Sequence, residues 1–263
     1  MGIKKYCRLW KKTVALDLSS EMAYKINFFI KMFGIFLMDI ISPLLALLIY
    51  NSTSGIPGWN LHEFFLFQGT FILVAGISHF FIWAIPYKVI DMVRTGNFSN
   101  VLIRPYNPLG YVTSTSVDFD GISEMIVGLF LTLYASSVLK IGLSINVLYY
   151  IFIILIAIVF QYSLVVIVSS LSFLVVKSYA LLDIWSNFLD LGRYPSTIYS
   201  TSLRFFVTFL FPVAVSAFYP ASALLRRINP LTILIAIFSV SAFFIFSLVL
   251  WNLAMKKHTS AGG

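Results

Sequence analysis

Residues 85–112 read IPYKVIDMVRTGNFSNVLIRPYNPLGYV, a polar and basic interruption between long apolar runs. Tyr87, Val89, Ile90, Met92 and Val93 alternate with Lys88, Asp91 and Arg94 in a pattern that predicts a short amphipathic helix. Gly96-Asn97 is a stop signal for that helix. Val101-Leu102-Ile103-Arg104-Pro105 then predicts an extended piece, because Pro105 and Pro108 bar a helix from continuing. A stiff, partly apolar projection between two hydrophobic helices offers a soluble partner something to grip. The same residues would also suit an ordinary loop lying on headgroups.

The flanking sequence sets the class. The chain is 60% hydrophobic with 26 Phe and only 11% charged residues, against about 25% charge in a soluble domain. Its apolar runs repeat at roughly the 20 residues needed to cross a bilayer, and they do not alternate as barrel strands would. The expectation is an all-α polytopic membrane protein. The net charge of +8 comes largely from Lys and Arg at the edges of apolar runs, the pattern of inward-facing loops, so no nucleic-acid partner is expected. The single cysteine, Cys7, rules out an internal disulfide and a multi-cysteine metal site. No cleavable signal peptide is expected, since the first long apolar run starts near Ile26.

In chain order, residues 1–25 carry Lys4, Lys5, Arg8, Lys11, Lys12 and Lys25 with Leu9, Trp10, Val14, Leu16 and Leu18 among them. This suits a cytoplasmic interfacial helix on anionic lipid. The membrane domain is then 26–263. Spans are expected at about 26–50, 63–85, 121–139, 147–176 and 231–255, the fourth ending at Lys177 and the last at Lys256 and Lys257. The first contains Pro43 and Asp39, and an intramembrane carboxylate should face the bundle interior or a wet path. Residues 178–230 are ambiguous. Hydropathy alone makes 203–219 the fifth span, although Pro212 breaks it. The alternative is a span at 178–198, with Asp183 embedded, followed by re-entrant short helices, which need protein around their backbone ends. Both versions give six crossings with both termini inside.

Catalysis is not expected. His62, His79 and His258 fall at no metal-ligand spacing, and no H-E-x-x-H, G-x-S-x-G or G-x-x-x-x-G-K-[ST] motif occurs. No catalytic residue, no metal and no cofactor in this chain are therefore predicted. A filter loop and a convincing internal repeat are also missing.

Three stretches carry a resemblance. VRTGNFSNVLIRPYNPLGY looks like the loop between the second and third spans of ABC-2 type permeases, in their six-span branch. RYPSTIYSTSLRFFVTFLFPVAVSAFYPASALL is similar to that family's block before the last span, and KKHTSAGG to its basic ending, with His258 where Tyr is expected. The resemblance implies an exporter membrane subunit in the cell membrane that pairs with a second permease, identical or related, and docks on two separate ATPase subunits holding ATP and Mg. It implies that Arg94, Gly96, Asn97, Leu102, Arg104 and Pro105, within the coupling loop 86–112, meet the ATPase. It also implies that Tyr194, Pro195, Pro212, Tyr219 and Pro220, within a re-entrant region of about 195–229, lie near an outer gate. Asp39 and Asp183 are candidate path charges. A membrane scaffold or sensor that recruits a cytosolic partner is the alternative reading.

Overall fold

Two helices that touch backbone to backbone form the centre of the protein, in a computed structural model that describes residues 2–175 and 179–257. They are α3 (Leu61–Ser78) and α7 (Gly121–Val138). Each carries glycines seven residues apart, Gly69 and Gly76 on α3 and Gly121 and Gly128 on α7. A Cβ on Gly69 would lie 2.7 Å from the Thr132 nitrogen, and one on Gly76 would lie 2.5 Å from the Met125 nitrogen. Small residues at such spacing let membrane helices approach closely, where van der Waals packing replaces the missing hydrophobic drive.

The other long helices surround this pair. They are α2 (Lys25–Ser52), α8 (Ile145–Leu171) and α12 (Pro230–Lys256). With α7, and with α3 in its extended form, they make five helices long and apolar enough to cross a membrane. No strand occurs among the described residues, as the all-α expectation requires. Helix α8 is the most buried of the outer three. Its Ser163, Ser169 and Ser170 hydroxyls donate to carbonyls one turn back, which satisfies them inside an apolar setting. Helix α2 buries only Phe28 and Ala46 and turns Phe29, Phe33, Met38 and Leu48 outward, as a helix does when lipid or another membrane subunit covers it. Pro43 sits inside α2 without ending it.

At its far end α3 does not stop. A π turn at His79–Trp83 carries it into α4 (Ala84–Arg94), so the amphipathic segment is the tail of a 34-residue helix. The predicted stop at Gly96 is present. Its φ of 74° is a left-handed value that glycine adopts without a Cβ penalty, and its N–H donates to the Val93 carbonyl. The extended piece predicted at Val101–Pro105 needs correction. Ser99–Leu102 forms one short helix, α5, in which the Phe98 carbonyl accepts from Val101 and Leu102. Local hydrogen bonding begins before Pro105 can interrupt it. Helix α6 (Pro108–Ser114) follows, with Pro108 in its first turn and Asn107 as its cap.

The N-terminal helix α1 (Ile3–Ala23) has no fully buried residue. It lies along this loop, Lys5 donating to the Pro105 carbonyl, Tyr6 Oη accepting from Asn107 N–H, and Trp10 stacking on Phe81. Burial against that side pushes the Asp17 carboxyl up, an effect the Lys88 ammonium partly offsets.

The ambiguous region is a chain of short helices. They are α9 (Ala180–Asp190), α10 (Thr201–Phe205) continuing through a π turn to Leu210, and α11 (Phe218–Leu224), with two 3-10 turns between the first pair and one between the second. The continuous 203–219 helix of the hydropathy reading does not form. Pro212 has no N–H to give the ladder, and the backbone leaves helical geometry at Phe211 and again at Ala217. Lys177, expected at the end of the fourth span, and His258 with the rest of the tail lie outside the described residues.

Candidate coupling surface and charged cavity

The loop between α4 and α6 is anchored on one side and bare on the other. Phe98 is fully buried and packs edge-on against Phe173 and Trp251, tying the loop to the turn that follows α8 and to α12. Val101 and Leu109 are also buried. Outward, Leu102 is 45% exposed and Ile103 is 83% exposed. Arg104 stands beside them with its guanidinium over the Tyr111 ring at 4.8 Å. Arg94 is exposed and pairs with Asp91 at 3.1 Å, Asn97 donates to the Thr95 hydroxyl, and Pro105 is exposed apart from its Lys5 contact. Of the six residues, Arg94, Asn97, Leu102, Arg104 and Pro105 are exposed and Gly96 is half-buried, in a loop braced through Phe98. The sequence patterning did not single out Ile103, the barest of them, or Tyr6, which clamps the loop from α1.

The residues of the second group are spread through the broken region. Pro195, Pro212, Tyr219 and Pro220 are buried, while Tyr194 is 48% exposed. Phe211, next to Pro212, packs against Phe160, Phe188 and Phe243 of α8, α9 and α12. Asp183 is exposed on α9. Asp39 is half-buried, and its Oδ2 is buried without a hydrogen-bond partner.

Between α3, α7, α8 and α9 lies a cavity of about 300 Å³, lined among others by Phe71, His79, Trp83, Glu124, Gln161 and Arg193. Asp190 pairs with Arg193 at 2.6 Å, and Arg193 also sits over Phe71. Buried Gln68 closes this region, accepting from Ser42 of α2 and donating to the Arg193 carbonyl. A lone glutamine carries no sequence signal for such a bridge.

At the opposite end of α3, Asn60 and Glu63 form a reciprocal capping box. Glu63, itself only 8% exposed, also accepts from Arg227 at 2.5 Å, and Arg227 bonds the Gly58 carbonyl. Arg227→Met should therefore lower stability by about 1–3 kcal/mol, the range for a hydrogen bond to a charged group. Arg227→Lys should recover only part, since an ammonium cannot make the forked contact. Thermal melts in detergent read both, and an unchanged midpoint for the Met variant would remove the pair from the account.

The described residues thus form an apolar helical bundle with a braced basic loop. Residues 36–262 match the family described as ABC-2 family transporter protein, and the chain belongs to that family. No curated protein and no solved structure is detectably similar to it. It is a multi-pass membrane protein of the transporter class.

Proposed function

We propose that the chain is the membrane-spanning permease subunit of an ABC exporter in the cell membrane, coupled to separate ATPase subunits that bind ATP and Mg. One observation carries the reading. The Leu102–Ile103–Arg104 tip is bare, yet its base is fixed to α1, to the turn that follows α8 and to α12. A push on such a tip moves whole helices instead of bending a loop. Arg94, Gly96, Asn97 and Pro105 complete the docking face, and two ATPase copies serve two permeases.

Six crossings with both termini inside follow if residues 180–224 make the fifth crossing in pieces. Trp185 of α9 packs at a tilt against Trp83 near the α4 end, while Arg227 reaches the Leu61 end. The Phe211 contacts at mid-length of α8 and α12 favour a re-entrant dip around Pro212, with Tyr194, Pro195, Tyr219 and Pro220 near an outer gate. Helix α9 turns Asp183, Asn187 and Asp190 outward. A charge at the bilayer centre costs about 2.5–3.5 kcal/mol on insertion scales, so this face suits a second permease and a wet path rather than lipid. Asp183 and Asp39 are then path charges.

Affinity purification of the tagged protein from its native membrane tests the reading. A P-loop ATPase should co-purify with wild type and be lost with Arg94→Glu or Arg104→Glu. ATPase activity in the reconstituted assembly should respond to transported substrate. Absence of any nucleotide-binding protein under gentle solubilisation would favour a recruiting scaffold instead.

A further inference from the structure

His79 is the one histidine whose two ring nitrogens both face carboxylates among the described residues. Nδ1 lies 2.8 Å from Glu124 Oε1, a good hydrogen bond. Nε2 lies 3.5 Å from Asp118 Oδ2, too long for one. Asp120 completes the group: one ligand atom each from His79, Asp118 and Asp120 lie within 4.8 Å of one another. Lys31 of α2 sits on Asp120 Oδ2 at 2.7 Å, leaving the other oxygen unclaimed by an ion pair.

The backbone holds this arrangement in place. Asp118 N–H donates to the Phe80 carbonyl inside the π turn, and Asp120 N–H donates to Asp118 Oδ1. Gly121 presses on the same turn so closely that a Cβ would collide with the Gly76 oxygen and the Phe80 nitrogen. His79 is the first residue of that π turn. Such turns occur often at functional sites.

From these residues we infer a divalent transition-metal site in which His79 Nε2, Asp118 and Asp120 are ligands and Glu124 orients the imidazole. A carboxylate that accepts the second ring N–H fixes the tautomer of a metal-binding histidine and raises its basicity. The charges agree. Asp118, Asp120 and Glu124 against Lys31 leave two negative charges beside a neutral imidazole, which one divalent ion neutralises. Asp39 is a further carboxyl close enough to interact with Glu124 and His79, which only adds to the acidic character, and the Arg193 cation is held by Asp190. One nitrogen with carboxylate oxygens suits zinc or manganese better than magnesium or calcium, which favour oxygen alone. A bound ion would lock the π turn to the start of α7, directly behind the coupling helix α4.

Isothermal titration of the full, tag-free, chelator-stripped protein in detergent with Zn²⁺ and Mn²⁺ tests the site. Wild type should bind one ion per chain at micromolar or tighter affinity. His79→Gln or Asp118→Asn should abolish that binding, Glu124→Gln should weaken it 10- to 100-fold, and His62→Gln should leave it unchanged. Binding should also raise the melting temperature of wild type, as any ligand specific to the folded state does. No saturable binding to folded wild type would overturn the site and leave His79 as an imidazolium between carboxylates. Binding that persists in a cooperatively melting His79→Gln protein would overturn it too. Should His79→Gln fail to fold, Asp120→Asn and Glu124→Gln decide the same question by their loss of affinity. The titration needs neither ATPase nor substrate, so its outcome is independent of the permease reading.

Discussion

Gly128→Leu should abolish accumulation of folded protein. A Cβ at Gly128 already meets the Leu73 backbone and the Gly69 carbonyl oxygen, and neither can move aside as a flexible side chain would. Overpacking a closed site costs about 1–3 kcal/mol when side chains can yield. Here the two helices must separate along their length, which forfeits the contact that holds α3 to α7. The expected cost is therefore at or above the top of that range, enough to unfold a protein of ordinary marginal stability. Gly34→Leu is the matched control. A Cβ there meets nothing within 4 Å, and the change should stay within about 0.5 kcal/mol. Size-exclusion profiles and detergent melts of the two variants give the comparison. Equal behaviour would mean that the glycine contacts do not set the fold.

Ile103→Asp should leave the fold intact and disconnect the protein from its ATPase. The side chain is 83% exposed, so the subunit alone loses almost nothing. In the proposed complex the same side chain is the apolar centre of the docking tip. Truncating such a residue typically costs 2–4 kcal/mol or more, and a buried unpaired carboxylate adds to that. Retention of the ATPase should fall by roughly 30- to 1000-fold, the equivalent of about 2–4 kcal/mol. Arg104→Glu should follow it, with an added loss of the Tyr111 contact. Quantifying bound ATPase against wild type, with the melting temperature measured beside it, separates lost docking from lost folding. Full retention of the ATPase by Ile103→Asp would move the docking face elsewhere on the protein.

The residues themselves determine the class. Twenty-residue apolar runs read as membrane helices, and four of the five expected runs appear as α2, α7, α8 and α12 within a few residues of their expected ends. Gly96, Pro105 and Pro108 fix the joints of the loop between α4 and α6 by local backbone rules, and those rules operate without tertiary context. Their limits appear nearby. Val101 and Leu102 fold back on the Phe98 carbonyl while the Phe98 ring is buried against Phe173 and Trp251, and no local pattern encodes that burial. In the same way, Pro212 marks a break, but only packing of Phe211 against three other helices decides where the broken ends go.

The charged cluster belongs wholly to the tertiary structure. His79 and Asp118 are 39 positions apart, and Glu124 lies beyond the loop that separates them. Spacing along the chain reads these as unrelated residues at helix ends. They meet because glycines on α3 and α7 let two backbones touch, and because the Asp118 N–H bonds the Phe80 carbonyl beside His79. Periodicity and turn chemistry reveal what each segment forms. Which side chains face each other depends on the distance and rotation between helices, set by packing across the whole bundle.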